Sequence, residues 1–121
     1  MGKNVLVVDD SGAIRQSMRY VLENAGYVVT DASNGKEALS VITPATNLVI
    51  TDVNMPEMNG IDLVKSIRAG EAPLKTVPII ILTTESQADM KQKGKDAGAT
   101  AWVVKPFPPE EIIAAVKRLI G

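Results

Sequence analysis

A chain of 121 residues, 45% of them hydrophobic, has the length of one domain and can bury roughly two-thirds of its unfolded surface, so a two-lobed enzyme is excluded. Thirteen Lys and Arg against fourteen Asp and Glu leave a formal charge of −1, which offers no basic footprint for nucleic acid or an anionic membrane. Cys and His are both absent, removing disulfides, thiol nucleophiles, Cys/His zinc sites and histidine general bases. Chemistry is left to carboxylates, hydroxyls, amides, lysines and arginines.

In chain order, Asn4–Val8 is a short Val-rich run that stops at Asp9 and Asp10. It is too short for a signal-peptide core, no stretch approaches a membrane span, and Leu6 stands where a myristoylation pattern wants Ser or Thr. The expected setting is therefore soluble and cytoplasmic. From Ile14 the series Met18, Val21, Leu22 and Ala25 has helical spacing, and Gly26 stands where a C′ glycine ends a helix. Tyr27–Ala32 is a second apolar run. Asn34-Gly35 normally announces a hairpin, but Lys36-Glu37-Ala38-Leu39-Ser40 is helical in period, so a helix over Gly35–Ile42 is predicted instead.

Leu48–Thr51 is the third run and leads into Asp52. A helix follows from near Asn59, carrying Ile61, Leu63, Val64 and Ile67 and stopping before Gly70. Pro78–Thr83 is the fourth run. The segment Ser86–Ala97 reads as the weakest helix, with only Ala88, Met90 and Ala97 to bury. Ala101–Val104 is the fifth run and leads to Lys105-Pro106. The last helix starts at Pro109, with Glu110 and Glu111 in its first turn and Lys117 and Arg118 in its last, as the helix dipole favours.

Short, continuous apolar runs alternating with helices predict an α/β fold with a parallel sheet covered on both faces. Five such units, joined by right-handed crossovers, favour the flavodoxin-like doubly wound order 2-1-3-4-5, with five helices in a single domain. Ligands in such sheets sit beyond the carboxyl ends of the strands.

Those ends carry Asp9, Asp10, Asp52, Thr83 and Lys105. Each has an ordinary explanation alone: a helix cap, a β-branched strand residue, a solvated lysine. Together they do not, because three carboxylates on one rim repel by about 3 kcal/mol per pair at ~5 Å and an effective dielectric near 20. Lys105 supplies one compensating charge. A divalent cation held by oxygen ligands would supply the rest, and Mg²⁺ suits so small a protein ligand set. Competing motifs fail. Asp52-x-Asn54 departs from a calcium loop at Pro56 and Glu57, and no phosphate-binding glycine loop follows the first strand.

The chain resembles the receiver domains of two-component signalling, in particular the single-domain chemotaxis (CheY-like) kind, from about Lys3 onward. The motifs are Val-Leu-Val-Val-Asp9-Asp10, Ile50-Thr51-Asp52-Val53-Asn54-Met55-Pro56-Glu57-Met58-Asn59-Gly60, Ile81-Leu82-Thr83-Thr84 and Val103-Val104-Lys105-Pro106-Phe107. The resemblance implies that Asp52 accepts a phosphoryl group from a partner kinase's histidine, with Mg²⁺ held by Asp10, Asp52 and the carbonyl of Asn54 and, through water, by Asp9. It implies that Lys105 and the Thr83 hydroxyl contact the phosphoryl group, that Lys105-Pro106 is a cis peptide, and that Trp102 is the aromatic switch residue on strand 5. Asn54 and Glu85 would flank the path of the hydrolytic water and set a short phosphoryl lifetime. Unlike its chemotaxis relatives, which commonly carry Phe after Asp-Asp, this chain has Ser11-Gly12.

The resemblance implies a monomer without an output domain over 1–121. Its partners would be a sensor histidine kinase, a phosphatase, and a protein such as the flagellar motor switch docking around Met90, Lys91, Trp102 and Lys105. It would not be an enzyme beyond its own phosphorylation and dephosphorylation. The alternatives are a phosphorelay shuttle to a histidine phosphotransfer protein, or a small Mg²⁺-dependent aspartyl-phosphate phosphatase. The latter class wants Asp-x-Asp on strand 1, where this chain has adjacent acids with Gly12 two residues past Asp10.

Overall fold

A computed structural model describes residues 2–53, 55, 58–71, 74–83, 88–105 and 108–121, with 88–90 described by backbone alone. Five strands, β1 (Asn4–Val8), β2 (Val28–Ala32), β3 (Leu48–Asp52), β4 (Ile79–Thr83) and β5 (Ala101–Val104), form one parallel sheet in the order β2-β1-β3-β4-β5. The helices are α1 (Gly12–Asn24), α2 (Gly35–Val41), α3 (Gly60–Arg68), α4 (Ala88–Ala97) and α5 (Pro109–Ile120), with a 3₁₀ turn at Leu74–Thr76. The predicted fold class and strand order are those observed.

Alternation along the strands sorts the core into two layers. Leu6, Val8, Val49, Ile79 and Ile81 pack with Leu63, Val64 and Ile67 of α3 on one face. Val5, Val7, Ile50, Ile80 and Leu82 pack with Met18 and Leu22 of α1 and Ile112 and Val116 of α5 on the other. Each buried Leu, Ile or Val contributes about 1.5–3 kcal/mol relative to exposure. Because every strand residue of β4 is buried, its sequence is a continuous apolar run rather than an alternating one.

Helix starts follow local chemistry. Ser11 Oγ accepts from Ile14 N at 3.3 Å, so α1 begins at Gly12, two residues before its apolar stripe. Asn34 Oδ1 accepts from Glu37 N at 2.8 Å while the Glu37 carboxylate accepts from Ser33, and this reciprocal cap turns Asn34-Gly35 into a helix entry, not a hairpin. Asn59 caps α3 through Asp62 N at 2.8 Å.

Some ends differ from expectation. The Tyr27 N–H bonds back to Leu22 O at 3.0 Å, closing α1 around the left-handed Gly26 (φ 98°), so β2 starts one residue later than predicted. Pro78 has no N–H to give the ladder, and β4 starts at Ile79. Asp52 pairs with Leu82 and belongs to β3, and α2 ends at Val41 with Ile42 as its cap.

At the far end from the strand mouths, Arg68 ties three segments together. Its Nε donates to Gly98 O at 3.0 Å and an Nη to Lys75 O at 3.1 Å, joining α3 to the 3₁₀ turn and to the turn before β5. Burial lowers the Arg68 pKa from its ordinary value, the cost of desolvating a cation whose partners are carbonyls. Arg68→Ala is expected to lower stability by about 1–3 kcal/mol through two lost charge-assisted hydrogen bonds, read as an earlier urea midpoint at unchanged slope. Arg68→Lys, lacking the fork, is expected to recover only part of it.

Candidate functional site

Sheet register builds the site. In β1 and β3 Val8 pairs with Thr51, so the next residues, Asp9 and Asp52, lie side by side and point to the same face. Asp52 pairs with Leu82 and Leu82 with Val103, which carries that face across to Lys105, two residues beyond Val103. Thr83 pairs with Val104 and Ile81 with Trp102, so Thr83 and Trp102 belong to the opposite face. The backbone N–H of Lys105 donates to Thr83 O at 2.7 Å, extending the β4–β5 ladder by one bond to the mouth of the site.

The three charged side chains meet. Lys105 Nζ donates to Asp9 Oδ2 at 3.0 Å and lies 3.5 Å from Asp52 Oδ2, with side-chain exposures of 16% for Lys105, 4% for Asp9 and 12% for Asp52. Asp9 Oδ1 accepts from Ser11 N at 2.9 Å, and Asp52 Oδ1 from Val53 N at 2.8 Å. Each carboxylate thus has one oxygen fixed by a backbone N–H and the other turned toward the ammonium.

Burial raises the Asp52 pKa above the ordinary carboxylate value; Lys105 pulls it down, Asp9 pushes it further up, and the Val53 N–H lowers it. Asp52 is the partly buried acid whose charged form the fold disfavours until more positive charge arrives.

Of the residues predicted to form the site, Asp9, Asp52 and Lys105 are in direct contact, and exposed Asp10 joins the acids: one oxygen from each of Asp9, Asp10 and Asp52 falls within 4.8 Å of the others. Thr83 is fully buried at the end of β4. Trp102 is half-buried beside α4, and Lys91 is exposed on that helix. Met90 lies in α4 with its side chain outside the description. Asn54, Thr84, Glu85, Pro106 and Phe107 lie outside the described residues, and with them the expectations for the third metal ligand, the lifetime pair and the cis peptide.

Two contributors escaped sequence reading. An Arg15 Nη donates to the Asp9 carbonyl at 2.6 Å while Nε lies 3.7 Å from Asp31 Oδ2, so α1 and β2 together hold the turn that aims Asp9. The available signal was an arginine one turn into α1 opposite an acid on β2. Gly60, read only as part of a motif, donates its N–H to Val53 O at 2.9 Å, and a Cβ there would collide with the Asp52 backbone. A side-chain-free residue is what lets α3 start against the strand end that carries Asp52.

Three carboxylates and one ammonium leave a local charge of −2 presented by oxygen donors, the complement of a hard divalent cation, so the residues present fit the Mg²⁺ expected.

Comparison with known proteins agrees. The family model described as the response regulator receiver domain matches residues 5–117. Over 120 residues the chain is 38% identical to chemotaxis protein CheY1 of Helicobacter pylori, covering 97% of this chain and 96% of that protein. It is 35% identical to the phosphate regulon transcriptional regulatory protein PhoB of Pseudomonas aeruginosa, covering 99% of this chain and 52% of PhoB, so it spans about half the length of that regulator. The solved structure of Vibrio cholerae chemotaxis protein CheY4 superposes with a TM-score of 0.92 at 44% identity, covering 98% of this chain and 99% of that one. The fold and site define a doubly wound α/β protein with an acidic pocket at the carboxyl ends of its strands. The chain belongs to the response regulator receiver domain family of two-component signalling, as the sequence resemblance implied.

The raised Asp52 pKa has a stability consequence in metal-free buffer. The folded state holds the Asp52 proton more tightly than the unfolded chain, so ionising it costs stability as pH rises from the unfolded value through the folded one. Asp52→Asn removes that cost while leaving Lys105 its bond to Asp9. The variant is expected to melt above the parent at pH 7, each kcal/mol appearing as about 3–5 °C, with the gap closing below the unfolded carboxylate pKa near 4. Melting curves at both pH values check it.

Proposed function

We propose that this protein is a phosphorylation-switched response regulator in which Asp52 accepts a phosphoryl group from the phosphohistidine of a sensor kinase. The observation that carries this reading is Asp52 itself: a mostly buried carboxylate with a raised pKa, 3.5 Å from an ammonium and beside two further acids. In the transfer, the phosphorus–nitrogen bond of the donor breaks as an Asp52 oxygen forms its bond to phosphorus, and an acyl phosphate results. A desolvated carboxylate is a competent nucleophile, and the Val53 N–H keeps it in one orientation. Lys105 faces both Asp9 and Asp52, where its charge would offset that of the incoming oxygens. Asp9, Asp10 and Asp52 would hold Mg²⁺, which when bound supplies charge neutralisation at the phosphoryl oxygens.

The added charge and acceptor oxygens would draw Lys105 and the Thr83 hydroxyl toward Asp52 and alter the face formed by α4, β5 and α5 around Met90, Lys91 and Trp102. That face would then bind or release a protein partner. The matches to CheY1 and CheY4 extend over 96% and 99% of those chains, against 52% of PhoB, which supports a chemotaxis setting, in which a motor-switch type of partner would fit. The similarity to PhoB supports a second setting for the same chemistry, in transcriptional control. In either, the protein would act on its own carboxylate rather than turn over a free substrate, in the cytoplasm; among the described residues no helix is long and apolar enough to cross a membrane.

Incubation with acetyl phosphate and Mg²⁺ followed by intact mass measurement is expected to show one added phosphoryl group, absent in Asp52→Ala and strongly reduced without Mg²⁺. After removal of the donor the adduct is expected to decay in minutes; survival for hours would contradict a rapidly reset signal. Addition at a residue other than Asp52, or none at all, would overturn the reading.

A further inference from the structure

Glycine in a helix interior costs about 1 kcal/mol relative to alanine, yet α4 carries Gly94 two turns in, and there it is buried. A Cβ built at Gly94 would stand 2.6 Å from Cζ3 and 2.9 Å from Cε3 of Trp102, and 3.0 Å from Cδ1 of Ile81. The six-membered ring of the indole therefore occupies the volume that any other residue's Cβ would fill. Among the described residues Trp102 Nε1, buried there, has no hydrogen-bond partner, an arrangement that costs free energy. Beside the ring, a cavity of about 200 Å³ lies among Lys91, Lys95 and Thr100, all exposed.

From these four observations we propose that Gly94 is the seat of Trp102: a notch in α4 that holds the indole against Ile81 and sets the balance between this seated ring and one swung into the adjacent cavity. Packing favours the seat and the unpartnered N–H opposes it, while in the cavity the N–H can meet water. Gly94 is a positioning residue, and it decides whether β5 can carry so large a side chain beneath this helix. The seat does not depend on the phosphoacceptor reading and stands or falls separately from it.

Trp102 is the only tryptophan, so its emission reports the seat directly. Gly94→Ala is expected to shift that emission to longer wavelength and steepen its quenching by iodide, with the far-ultraviolet circular dichroism of the parent retained. A stability test with opposite signs separates this from a general helix effect. Gly94→Ala is expected to lower the melting temperature when Trp102 is present. In a Trp102→Ala background the same change is expected to raise it, because only the higher helix propensity of alanine remains. Unchanged emission and quenching, or a rise in melting temperature in both backgrounds, would overturn the seat. A fall in both would assign the glycine to Ile81 and overturn it equally.

Discussion

The rest of the site depends on the position of one ammonium. At an effective dielectric near 20, carboxylates whose oxygens lie within 4.8 Å repel by about 3 kcal/mol per pair, and Asp9, Asp10 and Asp52 form three such pairs. Lys105, at 3.0 Å from Asp9 and 3.5 Å from Asp52, returns about 5 kcal/mol with each before desolvation, the same order as the repulsion it offsets. It cannot cancel three charges with one. The residual −2 is a standing demand for positive charge at the mouth of the sheet, which the fold contains by fixing one oxygen each of Asp9 and Asp52 with backbone N–H groups.

That fold positions the demand through parity rather than through loop shape. Asp9, Asp52 and Lys105 end different strands, and register puts them on one face; a slip of one residue in any of the three ladders would send a charged group to the other side. The apolar runs prevent the slip, because β4 is buried on both faces and any shift would exchange two fully packed layers. Sheet stability and site geometry are therefore one constraint. Arg15 and Gly60 refine it locally, one by holding the turn after β1 from α1 and the other by letting α3 begin against the end of β3.

This explains what the sequence could reveal. Strand number, order and the gathering of acids and lysine at one end were legible, since buried parallel strands read as continuous Val and Ile runs and polar residues mark where each run stops. The side of the sheet on which each residue falls was not: the assignment of Asp52 to the ladder rather than to the loop beyond Thr51 depends on its pairing with Leu82, a contact 30 residues away. Arg15 was hidden for the same reason, its target being a backbone carbonyl that leaves no mark on residue type. Gly94 was visible only as a weakness in a polar helix. The missing side chain becomes a structural element only once Trp102 is seen against it.

The contrast between α4 and α3 follows. Helix α3 anchors itself with Ile61, Leu63, Val64 and Ile67, each buried Leu, Ile or Val contributing about 1.5–3 kcal/mol, whereas among residues 91–97 of α4 only Gly94 and Ala97 are buried. An alanine methyl is worth about 0.8 kcal/mol on the same scale and a glycine almost nothing. This stretch of α4 therefore gains little from burying its own side chains, and what it covers is the Trp102 indole and Ile81. This weakly anchored stretch is packed on the face that holds Thr83 and Trp102, and the acids and ammonium of the site stand on the opposite face of the same sheet. Under the proposed function, a change of charge at Asp52 would be felt first at this helix, while the doubly packed sheet beneath it would stay as it is.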